Sequence, residues 1–311
     1  MRKLFILLAI TATILFSCKS QEKVPLIKIE LVAVSGNMNL DQANSCTSIL
    51  AQRLKKFGNK HVNVSYDRGS KLITIETEKM EEPEIRNLLI APGRLEFCEV
   101  YNMEDIVEPL QRINKEVDST SHGEVHFMNM LRPVAPQSDA YGRQFSMPFI
   151  GMPLESDTAK LSNLFSNMFR LLPPNCMLAY GNSTEGKNIR SFPLYVIRND
   201  EKMEASNYIS MAKPAFDATG RPSIRMEFTA SGAKHWERMT AKNTGRSIAL
   251  VLDGKVMSAP HVNGTISGGN CEITGNFTKK DAEELASIIS VVPLPVQLQV
   301  VSVNIESEPK N

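Results

Sequence analysis

A two-residue turn between two strand-like runs constrains this 311-residue chain more than any other feature. Ser247 to Leu252 is apolar and β-branched, Asp253-Gly254 is a strong hairpin turn pair, and Lys255 to Pro260 reads as the returning strand. The flanks agree with it. Upstream, Thr229 or Ser231 caps a helix that carries Ala233, Trp236 and Met239 at helical spacing. Downstream, the Gly-punctuated stretch Ile266 to Phe277 leads into a helix opened by Thr278, with Asp281 in capping-box position and Ala282, Leu285, Ala286 and Ile289 inward. Pro293-Leu-Pro295 breaks that helix, and Val296 to Ile305 alternates as a strand.

The first part of the chain has a second regular pattern. Leu26 to Val34 alternates as a strand, Asp41 to Phe57 has helical periodicity, and Gly58 closes that helix. His61 to Tyr66 and Lys71 to Thr77 flank a turn at Asp67-Arg-Gly-Ser70, Pro83 to Ile90 reads as a helix and Arg94 to Val100 as a strand. The order βαββαβ over residues 26–101 predicts a ferredoxin-like split βαβ unit, an antiparallel sheet with both helices on one face. Residues 102–205 are less regular. Helices are expected at Met103 to Val117 and Asp157 to Leu172, with a strand at Phe192 to Arg198.

The C-terminal series resembles the periplasmic P1 domain of the SecD protein-export subunit. Phe228-Thr229, Gly232-Ala233, Thr240, Asn243, Gly245-Arg246, Ala249, Val251 to Gly254, Val256, Ser258 to Pro260, Ile266, Gly268-Gly269, Ile273, Gly275 and Phe277-Thr278 follow the family pattern in order. A second segment, Ile49-Leu50, Arg53-Leu54, Gly58, Ile73, Ile75-Glu76, Leu95 to Phe97 and Glu99-Val100, resembles the base of the same domain. The resemblance implies an α+β fold with a ferredoxin-like base at 26–101, a divergent insertion at 102–205, a P1 head-like subdomain at 206–292, and a C-terminal strand and tail at 293–311. In that family the P1 head is described as a mobile element that grips polypeptide emerging from the SecYEG channel, in partnership with SecF. Asp253, Gly254, Ser258, Ala259, Pro260, Gly268 and Gly269 are the positions to which the resemblance would assign polypeptide binding or the shape of the head hairpin.

Arg2, Lys3, an apolar run from Leu4 to Phe16, and Cys18 form a charged, apolar, Cys-terminated leader. The expectation is a signal peptide over 1–17, lipidation at Cys18, a tether over 18–25, and a lipid-anchored cell-envelope protein. Lys19 directly after the cysteine favours the outer membrane. The run is too short for an ordinary spanning helix. With 35 Lys+Arg against 34 Asp+Glu, and a balance of about −1 once Arg2 and Lys3 leave, no basic field exists to attract nucleic acid. Beyond Cys18, Cys46, Cys98, Cys176 and Cys271 lack the close pairs used by zinc sites. Buried free thiols and one or two disulfides, among them a Cys46–Cys98 bridge, are both compatible with that spacing.

His122 and His126 flank Glu124, but Gly123 disfavours a helix and the order is not that of a metalloprotease motif, so a solvated loop is the simpler reading. Ser267 lacks the elbow of a nucleophilic serine, and Asp before Gly at 253 is explained by turn chemistry. No catalytic constellation, metal site or cofactor site is expected. The methionines of the middle region, Met128, Met130, Met147, Met152, Met168 and Met177, fill core gaps or line an adaptable peptide surface. Two non-enzymatic functions remain: binding of unfolded or exported polypeptide, or of a Sec or other envelope protein, as an auxiliary to export; and a structural or assembly role docked to one fixed envelope partner.

Overall fold

A computed structural model describes residues 25–305, apart from 123, 139–141, 143, 187–188 and 276. The leader, including Cys18, lies outside the described residues. Among those described, no helix is long and apolar enough to cross a membrane.

The base begins with β1 (Leu26–Ala33), whose residues alternate between buried and half-buried. It continues through α1 (Leu40–Phe57), β2 (Val62–Tyr66) and β3 (Ile73–Glu78). Asn39 caps α1 by accepting from the Gln42 amide, and Gly58 ends it in the left-handed conformation. A short helix α2 (Glu82–Glu84) runs on into a π-helical turn over Ile85–Ile90.

Here the structure corrects the reading of Arg94 to Val100 as the last strand of the base. Strand β4 (Leu95–Val100) leaves the base and enters another sheet, and the place of the fourth ferredoxin-like strand is taken by β16 (Leu298–Ile305). The base sheet has the order β16-β1-β3-β2 and every pairing is antiparallel. The physical reason is that all six residues of β4 are buried, so it needs cover on both faces. An edge position in a sheet with helices on one face does not supply that.

The middle of the chain holds α3 (Met103–Ser121), α4 (Phe127–Leu131), a ribbon of β5 (Gln137–Ser138) and β6 (Gln144–Phe145), and α5 (Glu155–Asn167). Then come β7 (Cys176–Tyr180), a second ribbon of β8 (Thr184–Gly186) and β9 (Ile189–Ser191), and β10 (Leu194–Glu204). Met128, Met130 and Met168 pack into the core beneath α3 and α5, with Phe127 and Phe165 ring to ring at 5.5 Å. His122 and His126 are exposed, His122 as the left-handed residue ending α3.

The remaining elements are β11 (Ile209–Phe216), β12 (Pro222–Phe228), α6 (Ala230–Lys242), β13 (Ile248–Leu252), β14 (Lys255–Ser258), β15 (Asn270–Thr274) and α7 (Lys279–Ile289). Two sheets use them. One has the order β14-β13-β4-β10-β7, and Gly181, one residue past β7, forms a parallel bridge to Val256 that closes it into a small barrel. Gly181 is required there, since a Cβ would lie 2.7 Å from Pro193 and 3.0 Å from the Tyr195 ring. The other sheet is β11-β12-β15.

Helices α6 and α7 lie between the two sheets. Trp236 and Met239 of α6 and Ala282, Leu285, Ala286 and Ile289 of α7 share one core with Ile224, Met226 and Phe228 of β12, Ile273 of β15, and Leu95, Phe97, Ile248 and Leu250 of the barrel wall. The alternate residues Cys98, Val100, Ala249 and Val251 fill the barrel. Phe97, fully buried, stacks 5.0 Å from Trp236. The hairpin therefore belongs to the barrel, not to the three-stranded sheet β11-β12-β15. Helix α7 also sends Ile288 into the base core with Val291 and Leu294, so it is buried almost all round.

Candidate functional site

The two-residue turn forms as the sequence predicts. Asp253 and Gly254 both have positive φ, at 51° and 83°, the requirement of the turn that matches strand twist. Its position is what the sequence did not show. The Asp253 carboxylate accepts the backbone N–H groups of Gly93 (3.0 Å) and Arg94 (2.8 Å), in the connection between the base and β4. From the other side, the fully buried guanidinium of Arg53 donates to the carbonyls of Leu88 (3.1 Å), Ala91 (2.6 Å) and Pro92 (2.6 Å). Burial pulls the Arg53 pKa down to about 10, a drop that the nearby Asp253 charge opposes. Arg53 and Asp253 thus bind the 91–94 loop between base and barrel.

The other residues singled out in the sequence fall at the opposite end of the hairpin. From the turn to Pro260 is six residues of largely extended chain, roughly 20 Å. Ser258 ends β14, Ala259 packs against the barrel interior, and the Pro260 carbonyl accepts the Ile248 N–H at 3.2 Å. Gly268 and Gly269 both have positive φ, and Gly269 lies so close to α6 that a Cβ would sit 2.8 Å from that of Ala233. Its carbonyl accepts the Phe228 N–H at 2.8 Å. The seven positions do not converge on one cluster: Asp253-Gly254 serve the junction, Ser258 and Ala259 belong to the end of β14 and the barrel, and Pro260 and Gly268-Gly269 lie beside the approach to β15.

That approach holds an open sheet edge. In the three-stranded sheet β12 is central, β11 is covered by α7 and interrupted by Pro214, and β15 has no strand on its outer side among the described residues. Beside β15 is a pocket of roughly 270 Å³ lined by Trp236, Ile248, Leu250, Pro260 to Gly264, Ile266 and Asn270 to Glu272. The indole N–H of Trp236 is buried and without a partner among the described residues. The Cys271 thiol is pushed up to about 12 by burial and stays protonated, an apolar wall rather than a nucleophile. Cys46, Cys98, Cys176 and Cys271 are all free, with Cys46 in the base core and Cys98 in the barrel, so the Cys46–Cys98 bridge is not formed.

With this geometry in place, residues 183–296 match the family described as SecDF, P1 head subdomain. The protein translocase subunit SecD of Acidaminococcus fermentans is 46% identical over 90 residues, 29% of this chain and 22% of that protein. SecD of Rhodothermus marinus is 26% identical over 287 residues, covering 84% of this chain and 46% of its own length. A crystal structure of SecDF in its super-membrane-facing form superposes with a TM-score of 0.52 at 20% identity, over 90% of this chain and 30% of that one. The chain thus spans less than half the length of these relatives. It is an α+β protein resembling the SecD P1 domain, and the likeness extends through base, barrel and head.

Proposed function

We propose that this protein is a lipid-anchored, non-enzymatic envelope protein that binds extended polypeptide, as an auxiliary to export. The observation that carries the reading is the unpaired edge of β15 next to a largely apolar pocket. An added strand gains backbone hydrogen bonds whatever its sequence, and the pocket takes one side chain in every two. That suits clients that share a backbone and little else. The relatives are named translocase subunits, which supports a place beside the Sec machinery. Pro260 and the Gly268-Gly269 turn keep the lane to β15 open, while Asp253-Gly254 fix the barrel to the base. Attachment would be through Cys18, with the outer membrane as the favoured site.

A proline scan of β15 tests the binding mode. Alternate N–H groups of an antiparallel strand face its partner and its open side. Prolines at one alternate set within 270–274 should abolish capture of a fluorescent unfolded peptide while leaving the thermal transition in place. Prolines at the other set should destabilise the head. Unchanged capture at every folded variant would exclude edge binding.

A further inference from the structure

The base sheet ends on one side at β16, which has no strand on its outer side among the described residues. Its rows of core residues run on to that edge. Across the sheet Ile75 of β3 meets Ile29 of β1, and Ile29 meets Val303 of β16; one step along, Thr77 meets Ile27, and Ile27 meets Ile305. Ile75, Ile29 and Ile27 are buried, whereas Val303 is 46% exposed and Ile305 64%. Leu298 and Val300, at the other end of the strand, reach the base core. The pairing with β1 skips Val301, so Val300 and Val301 stand together opposite Leu31 in a bulge, and Val301 is 53% exposed. Val301, Val303 and Ile305 thus form an exposed β-branched stripe, at a period of two, along an unpaired backbone edge. Edge strands are ordinarily blunted by charge, proline or brevity. The sequence LQVVSVNI of β16 carries no charge, no proline and no glycine over its eight residues.

We propose that β16 pairs antiparallel with β16 of a second copy of this chain, about a two-fold axis through Val303, joining two four-stranded base sheets edge to edge. On that register Val303 lies opposite Val303 of the second copy, and Val301 opposite its Ile305, so the members of the stripe cover one another. The neutrality of the strand is what selects a copy of itself. Self-pairing of a charged edge would set like charges opposite each other, and here it sets none. The nearest charges on β1 are already satisfied: Lys28 pairs with Glu30 at 3.0 Å, and Glu30 accepts from the Ser302 hydroxyl at 2.9 Å. The tail that follows β16 is a poorer occupant by composition, since Glu306, Ser307, Glu308, Pro309, Lys310 and Asn311 offer no aliphatic or aromatic side chain to lay on the stripe and Pro309 lacks a ladder donor. The contact is smaller than a standard stable interface, so a reversible dimer with a micromolar dissociation constant is expected.

Sedimentation equilibrium of the full chain, over a concentration range of about a hundredfold, should show that dimer. Val303→Lys and Val303→Glu change a half-exposed residue and set like charges opposite across the axis; each should weaken self-association about tenfold or more. An equimolar mixture of the two should restore the dimer. Mild oxidation of Val303→Cys in intact envelopes should give a disulfide-linked dimer, because directly opposed Cβ atoms lie roughly 5 Å apart. Ser65→Cys, on the opposite edge strand β2, should give none. A chain that is monomeric at every concentration, a dimer that persists undiminished in Val303→Lys, or a Val303→Cys product joined only to a different protein overturns the proposal. So does a monomer that becomes a dimer only when the chain is ended at Ile305, since the tail would then be the occupant.

Discussion

Arg53 and Asp253, two hundred residues apart in sequence, hold the same four-residue loop from opposite sides, Arg53 through its carbonyls and Asp253 through its amides. The contact ties the base helix α1 to the tip of the barrel hairpin. It positions the chain just before β4, the strand whose two faces join the head core to the barrel interior.

Arg53→Met keeps much of the side-chain volume and removes the donors to the Leu88 and Ala91 carbonyls, while Pro92 keeps only the Leu294 N–H at 2.9 Å. A loss of about 3 kcal/mol is expected in urea unfolding. Gly93→Ala should be as damaging, since Gly93 has φ of 81° and a Cβ there would run into the Arg53 guanidinium and come within 2.7 Å of Ile288. Gly254→Ala, at similar φ but in open space, should cost about 1 kcal/mol. Equal costs for the two glycines would contradict the junction.

Asp253→Ala loses both the left-handed tolerance of Asp and its two amide contacts, and should cost about 2 kcal/mol. Asp253→Asn keeps the turn preference and one acceptor oxygen, so its cost should be about half. If the two variants were equal, turn chemistry alone would explain the residue.

Glu284 gives a pH signature. Burial raises its pKa above 4.5, against the lowering effect of Asn87 and Lys280 and with further raising by Glu84 and Asp281. A carboxyl raised in the folded state contributes most below its unfolded value, and that contribution is lost as pH rises through the native one. Glu284→Gln should therefore raise Tm at pH 7, and the difference should shrink as pH falls toward 4. A difference independent of pH between 4 and 8 would show that burial does not raise the Glu284 pKa.

Replacing Cys18 with Ala should release the protein from the membrane fraction, because acyl chains supply about 0.8 kcal/mol per buried methylene. Retention of the variant on membranes after a high-salt wash would contradict lipid attachment.

Much of this fold was legible because its signals are local. The Asp253-Gly254 turn, the Thr278–Asp281 capping box and the alternation of β1 each depend on residues a few positions apart. The destination of β4 was not legible. Leu95 to Val100 is strand-like wherever it pairs, and only the distant β13 and β10 decide its sheet. The burial of Arg53 and of Glu284 was not legible, because burial of α1 and α7 on several sides is a property of the assembled layers. The seven site positions were found as a pattern, yet the pattern mixes a junction turn with a lane beside an edge strand. Trp236 was visible as a core residue, but its unpartnered N–H was not.

The most direct test of polypeptide binding places photo-crosslinking residues at the exposed positions Asn270, Glu272 and Thr274 of β15, at Asn263 beside the pocket, and at exposed positions of α3 and α5. Crosslinking in intact envelopes should label many unrelated unfolded or exported clients from β15 and Asn263, and few from the helices. Silence along β15 together with one stoichiometric product from α3 or α5 would contradict the edge-binding function and replace it with docking to a fixed envelope partner.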